Sequence, residues 1–81
     1  MKVLIEFFGK QRDITRTESI SMPITEKTTV NDVLEYVRRQ YPTLPLDEET
    51  IFIAVNKKKA PLKRILRTDD IISFLPFISG G

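Results

Sequence analysis

The chain has 81 residues, of which 41% are hydrophobic and 30% charged, a composition typical of one folded domain. It contains no cysteine and no histidine, which excludes disulfides, thiolate metal sites and catalysis by a thiol or an imidazole. We therefore expect no metal site and no catalysis by the chain alone. The net charge of +2 is too small to predict a nucleic-acid partner. Because neither a membrane span nor a signal peptide is recognisable, we expect no membrane partner and a cytoplasmic location.

Two β-strands are predicted at the start of the chain. Residues 2–8 alternate between two faces, and so do residues 17–24. The apolar side chains that this alternation places on one face are Val3, Ile5, Phe7, Ile20, Met22 and Ile24. The polar residues 9–13 between the segments predict a turn or loop, so the two strands are expected to form a hairpin.

The hydrophobic period then changes to that of an amphipathic helix. Its apolar positions are spaced i, i+3, i+4, i+7 and i+11, namely Val30, Val33, Leu34, Val37 and Tyr41. Thr29 is the predicted N-cap, with Asp32 in the capping-box position. Pro42 and Pro45 end the helix, since neither offers the N–H that a helix requires.

More extended chain is predicted after the helix. The β-branched and aromatic residues 51–55 predict a buried strand, followed by a polar turn at 56–59 and a short strand within 60–65. Leu62 and Leu66 are expected to point inward. Asp69 and Asp70 are expected to be solvated turn residues ahead of a last strand, 71–77, whose Ile72 and Phe74 face the core. This order predicts an α+β fold, with one main helix on one face of a mixed sheet of four to five strands.

The same alternation predicts a second apolar surface, on the sheet face away from the helix. The side chains expected there are Leu4, Phe8, Leu75, Phe77 and Ile78, while Phe52 fits either face. Scattered exposed apolar residues are common, whereas a contiguous patch marks a partner surface. Lys57, Lys58 and Lys59 are expected to form a solvated hairpin tip, with steering toward an acidic partner or weak nucleic-acid contact as the alternatives.

The chain ends in Gly80 and Gly81, directly after the last predicted strand. A pair of glycines can enter a narrow channel and present an unhindered carboxylate, which is ionised at neutral pH. Such a carboxylate can attack the α-phosphate of ATP and become an acyl-adenylate. The alternative interpretation is a frayed terminus without chemical use.

The whole ending, DIISFLPFISGG at residues 70–81, resembles the MoaD branch of the MoaD/ThiS ubiquitin-like sulfur carriers. In that branch the ending reads roughly acidic, x, apolar, x, Phe, Phe, Pro, Pro, x, x, Gly, Gly. Earlier segments match in the same order: KVL at 2–4 before two phenylalanines, TV at 29–30, AVN at 54–56 and Leu66 before the aspartates. Leu75, Phe77 and Asp69 depart from the pattern, in which Phe, Pro and Gly are usual.

The resemblance implies a β-grasp (ubiquitin-like) fold, with residues 1–78 as a single domain and residues 79–81 as a flexible C-terminal tail. It also implies that a MoeB- or ThiF-type activating enzyme uses Mg-ATP to adenylate Gly81, and that a persulfide sulfur source then leaves a thiocarboxylate. Gly80 would give the tail its freedom, and the chain itself would bind no cofactor.

The resemblance further implies a role as the small subunit of molybdopterin synthase, in molybdenum or tungsten cofactor biosynthesis. The tail would enter a MoaE-type large subunit and donate its sulfur to a pterin precursor. The resemblance places Phe8 and Leu75 at the interface with the large subunit. We expect the same interface to include Leu4, Phe77 and Ile78 from the second apolar surface, and Ser79. The same ending also fits a ubiquitin-like protein modifier, or a sulfur carrier for tRNA thiolation or thiazole synthesis. A plain protein-interaction domain is the remaining alternative.

Overall fold

A mixed β-sheet with two helices organises residues 1–77, the part of the chain that the computed structural model describes. The strands are β1 (Lys2–Glu6), β2 (Ser19–Pro23), β3 (Ile51–Val55), β4 (Lys58–Lys59) and β5 (Ile71–Pro76), and the helices are α1 (Lys10–Thr15) and α2 (Val30–Gln40). The strand order is β2-β1-β5-β3-β4. The central pair β1–β5 is parallel and the other pairs are antiparallel. The predicted α+β fold is confirmed.

Helix α2 begins and ends where the sequence predicts. The Thr29 hydroxyl accepts a hydrogen bond from the Asp32 N–H at 3.3 Å, and the Asp32 carboxylate accepts one from the Thr29 N–H at 2.8 Å. This capping box satisfies two N–H groups that the first turn would otherwise leave unpaired. The helix ends at Gln40, two residues before Pro42.

The core lies between α2 and one face of the sheet. Its most deeply buried side chains, each at most 2% exposed, are Val3, Ile5, Phe7, Val30, Val33, Leu34, Val37, Leu66, Ile72 and Phe74. Each large apolar side chain buried in this way contributes about 1.5–3 kcal/mol to folding. These residues are the ones that the strand and helix periodicities predict to face inward.

Residues 9–13 were expected to be a loop, and this prediction is wrong because α1 spans Lys10–Thr15. Gly9 before the helix and Arg16 after it both have positive φ, at +53° and +61°. The Arg12 Nε donates to the Phe7 carbonyl at 3.0 Å, which fixes the short helix against the end of β1. A six-residue helix is too short to be stable alone or to show a hydrophobic period, so contacts with the sheet determine it.

The predicted short strand within residues 60–65 is also wrong, because the strand there is β4, Lys58–Lys59. Asn56 and Lys57 both have positive φ, +53° and +71°, as the two central residues of a type I′ hairpin turn do. The lysine triplet is therefore divided between this turn and an edge strand. Residues 60–70 follow an irregular path that includes one isolated bridge, between Thr29 and Ile65.

Asp69 and Asp70 were expected to be solvated, and this is wrong for Asp70, which is buried. Its carboxylate accepts hydrogen bonds from the Asn56 side-chain amide at 2.9 Å and from the Arg67 N–H at 2.8 Å. The Arg64 guanidinium lies 3.9 Å away. Asp70 therefore anchors the start of β5. Asp69 is exposed, with φ of +67°, in the region that glycine adopts most readily.

Candidate functional site

The sheet has a second face, opposite α2, which we call the open face. Strand register places these side chains on it: Leu4 and Glu6 from β1, Ile71, Ser73 and Leu75 from β5, Phe52 and Ala54 from β3, and Lys59 from β4. Leu4 lies beside Ile71, and Phe52 beside Leu75. Phe8 and Phe77 extend the face beyond the strand ends.

Exposed apolar side chains are concentrated on the β5 and β3 part of the open face, whereas β2 contributes Ser19 and Ser21 beside Glu6 and Leu4. Five large hydrophobic side chains of residues 1–77 are exposed, and three of them lie here: Ile71 at 38%, Phe8 at 42% and Phe77 at 44%. The Phe52 and Phe77 rings contact each other, with centroids 5.4 Å apart. Leu4, Leu75 and Phe52 on the same face are half-buried, and Ser73 lies between Ile71 and Leu75 along β5. Clustered exposed apolar side chains of this kind are typical of a surface that binds a protein, a membrane or a ligand.

Phe8 is held in position by Gln11 of α1. The Phe8 N–H donates to the Gln11 side-chain oxygen at 3.0 Å, and the Gln11 side-chain amide donates to the Phe74 carbonyl at 2.8 Å. The parallel pairing of β1 and β5 extends only to Glu6 and Ser73. Gln11 thus replaces the missing strand partner and fixes Phe8 relative to the end of β5.

Strand β5 remains attached to the sheet up to the last described residue. Ile51 pairs with Pro76, and the Phe77 N–H donates to the Thr50 carbonyl at 3.1 Å. Gly81 follows Phe77 by four residues. Ile78, Ser79, Gly80 and Gly81 lie outside the described residues, so the roles given to them stay predictions.

The structure brings together four of the predicted interface residues, Leu4, Phe8, Leu75 and Phe77, on the open face. It also assigns Phe52, which the sequence left between the two faces, to this surface. Ile71 was not predicted from the sequence, although it lies four positions before Leu75 in the same strand and therefore on the same face. Gln11 was missed as well, because its partner Phe74 lies 63 residues away and no local signal identifies it.

The described residues offer no alternative site based on a metal. No group of three or more acidic side chains in residues 1–77 is arranged to hold an ion. In the same range no helix has the length and apolar character needed to span a membrane.

Comparison with known proteins identifies the family. The model of the ThiS family matches residues 5–81. The chain belongs to the ThiS family. The predicted relationship to the MoaD/ThiS ubiquitin-like sulfur carriers is thereby confirmed.

Three relatives illustrate the range of the family. The molybdopterin synthase sulfur carrier subunit of Mycobacterium tuberculosis is 28% identical, over 100% of this chain and 99% of its own length. The solution structure of small archaeal modifier protein 1 from Methanosarcina acetivorans is 26% identical, with a TM-score of 0.77 and coverage of 99% and 96%. A complex of subunits 1 and 2 of the molybdopterin-converting factor from Helicobacter pylori contains a chain that is 24% identical, with a TM-score of 0.67 and complete coverage of both. The β-grasp, ubiquitin-like fold is confirmed.

Proposed function

We propose that this ThiS-family chain is the sulfur-carrying small subunit of a molybdopterin synthase. The observation that carries the proposal is the apolar open face beside the end of β5, the strand that leads to Gly80 and Gly81. The Mycobacterium tuberculosis relative, which matches over the full chain, is named as such a subunit. The Helicobacter pylori relative is in a complex with a second subunit of its converting factor.

The proposed chemistry takes place at the carboxylate of Gly81. A MoeB- or ThiF-type enzyme binds Mg-ATP, and the carboxylate attacks the α-phosphorus, forming an acyl-adenylate and releasing pyrophosphate. A sulfur nucleophile then attacks the acyl carbon, and AMP leaves. With hydrosulfide as the nucleophile, the products are a thiocarboxylate, AMP and a proton. The chain has neither cysteine nor histidine, so the partners supply the catalytic groups.

The sheet sets how far the activated carboxylate can reach. Backbone hydrogen bonding holds the chain to the sheet as far as Phe77. Four further residues span at most about 14 Å when fully extended. The active site that receives Gly81 must therefore open within this distance of the open face. A large subunit of MoaE type that covers Phe8 and Leu75 would satisfy this requirement.

Intact-mass measurement tests the proposal. The purified chain is incubated with Mg-ATP, a MoeB-type enzyme and sulfide, and we expect one terminal oxygen to be replaced by sulfur. Deletion of Gly81 should abolish the change while the thermal unfolding midpoint stays the same. Addition of the large subunit and the pterin precursor should then restore the original mass. An unchanged mass in the wild type, or sulfur incorporation without Gly81, would contradict the proposal.

A second candidate is a ubiquitin-like protein modifier, favoured by the 26% identity to the archaeal modifier over nearly the whole chain. Here a lysine amine of a target protein attacks the acyl-adenylate or a later ester, and an isopeptide bond forms. A tagged chain expressed in its native cells would then give higher-mass conjugates that require Gly81. Sulfur carriage for tRNA thiolation or thiazole synthesis predicts the same thiocarboxylate with a different acceptor. A plain interaction domain predicts no ATP-dependent change.

A further inference from the structure

Positive charge is concentrated in one segment of the chain. Residues 57–67 contain six Lys or Arg and no Asp or Glu, whereas the rest of the chain has seven basic and eleven acidic residues, a net charge of −4. Within residues 1–77, Arg64 is the one member of this segment that forms an ion pair, with Asp70 at 3.9 Å. The nearly neutral total charge therefore conceals a basic region whose charges are largely uncompensated.

The hairpin between β3 and β4 distributes these charges between two sides of the molecule. Lys59 lies opposite Ala54 and so belongs to the open face, where its ammonium is 5.3 Å from the centre of the Phe77 ring. Lys57 lines a groove of about 570 Å³ on the same face, together with Phe8 and Ile71.

Lys58 and Lys63 lie on the opposite side of this edge. Lys58 pairs with Val55, whose side chain enters the core, and it lines a cavity at the sheet edge together with Lys59 and Arg64. Residues 62–64, which include Lys63, lie against the start of α2. There the Arg64 carbonyl accepts a hydrogen bond from the Val30 N–H, and the Leu62 carbonyl accepts one from the Asn31 N–H. Lys57 and Lys59 thus lie on the open face, and Lys58 and Lys63 on the side of α2, while both pairs carry the same charge.

We propose that Lys57 and Lys59 form a basic rim of the open face, and that the protein docking there has carboxylate side chains opposite β4. The inference rests on the proposed function, since it describes the surface of the large subunit that covers the patch. Protein interfaces combine an apolar centre with a charged rim, and rim charges mainly determine the association rate and its dependence on salt.

The arrangement favours a protein over a nucleic acid. The lysines border an apolar patch, and burying that patch requires an apolar surface on the partner. The Phe77 ring, which is 44% exposed, borders Lys59, but residues 57–67 contain no aromatic side chain that would extend it into a stacking platform for bases. Lys57 directly precedes the edge strand β4, Lys59 belongs to it, and both side chains are exposed.

Association kinetics of the full chain with its purified large subunit test this inference. We expect the double variant K57E/K59E to associate about tenfold more slowly than the wild type at about 20 mM salt, with the difference shrinking at about 200 mM. The matched control is K58E/K63E, which makes the same change in net charge away from the open face. It should stay within about twofold of the wild type. Thermal unfolding of each variant verifies that it is folded.

Each other outcome is informative. Equal slowing by both double variants would mean that net charge alone matters and would overturn the inference. A short single-stranded RNA that binds the wild type but not K57E/K59E would assign the rim to nucleic acid instead. If the large subunit does not bind the wild type although sulfur is incorporated at Gly81, the inference fails while carriage of sulfur stands. If sulfur is not incorporated either, the proposed function fails as well.

Discussion

The two faces of the sheet are built by the same strands yet differ in what covers them. On one face, Ile5 and Phe74 are completely buried under α2. On the other, Leu4 and Leu75 come from the same strands and are half-buried, beside Phe8, which is 42% exposed. A sheet must bury an apolar face against another layer, and the described chain supplies that layer on one side.

This difference separates stability from binding. Burial under α2 contributes to folding, so substitutions there are expected to lower the free energy of unfolding. Under the proposed function, side chains on the open face are buried further only when the large subunit binds, so substitutions there are expected to weaken that complex and leave the fold intact. Four substitutions follow in order of decreasing expected effect: those of Phe74 and Leu75 test this separation, and those of Asp70 and Asp69 test how the start of β5 is fixed.

The largest effect is expected for Phe74→Ala on the covered face. Removing a fully buried ring should lower the free energy of unfolding by about 3–5 kcal/mol, because the apolar transfer energy is lost and a cavity remains. Urea unfolding measures the change. The matched control is Phe8→Ala on the open face, expected to cost less than about 1 kcal/mol. Equal losses for the two phenylalanines would contradict the separation of the faces.

Asp70→Ala tests the polar anchor at the start of β5. The substitution removes the acceptor for the Arg67 N–H and the Asn56 amide, and it leaves the Arg64 guanidinium without its partner. Unfolding should become easier by about 2–3 kcal/mol, as measured in urea. Asp69→Asn removes one negative charge as well, from the exposed neighbouring residue, and should have little effect on the free energy of unfolding. If both substitutions behave alike, Asp70 is not the anchor described.

Leu75→Glu places a charge in the centre of the open face. Affinity for the large subunit should fall at least about 30-fold, the loss typical of a central interface residue, as measured by calorimetry. Stability should change by about 1 kcal/mol or less. Gln40→Glu, at the exposed end of α2, adds the same charge and should leave binding unchanged. Retained affinity in Leu75→Glu would remove the open face as the docking surface.

Asp69→Gly should produce the smallest effect, a gain. Asp69 has φ of +67°, a conformation that costs most residues about 1–2 kcal/mol but that aspartate tolerates better and glycine freely. The added chain entropy of glycine offsets part of the gain, so we expect about 0.5 kcal/mol of stabilisation in thermal unfolding. Asp69→Val, which cannot adopt this conformation without strain, should instead destabilise the protein. Destabilisation by glycine would contradict the assigned backbone conformation.

Both faces could be predicted from the sequence because alternation is a local property. Val3 and Ile5 are two positions apart, as are Ile72 and Phe74. Alternate residues of a strand lie on the same face, so this spacing alone predicts which side chains belong to each face. The capping box at Thr29 and Asp32 is equally local. The open face was predicted through Leu4, Phe8, Leu75 and Phe77, and the same parity would have added Ile71.

The errors arise where distant residues decide the structure. The burial of Asp70 depends on Asn56, 14 residues earlier, and the position of Phe8 depends on Gln11 and the Phe74 carbonyl. The hairpin turn at 56–57 lacks the glycine that usually marks a type I′ turn, because Asn56 and a lysine occupy its two positive-φ positions. The contact between Asn56 and Asp70 spans 14 residues and that between Gln11 and Phe74 spans 63, so no pattern in a short window contains them.

Methyl NMR of the full chain, titrated with the proposed large subunit, tests most directly that the open face is the docking surface. Methyl signals report on individual side chains, so they distinguish Leu75 and Ile71 from core residues of the same strand and of α2. We predict that the Leu4, Ile71 and Leu75 methyl groups shift or broaden, while those of Val33 and Val37 change little. Shifts concentrated in α2, with Ile71 and Leu75 unchanged, would contradict the proposed division of the sheet into a folding face and a binding face.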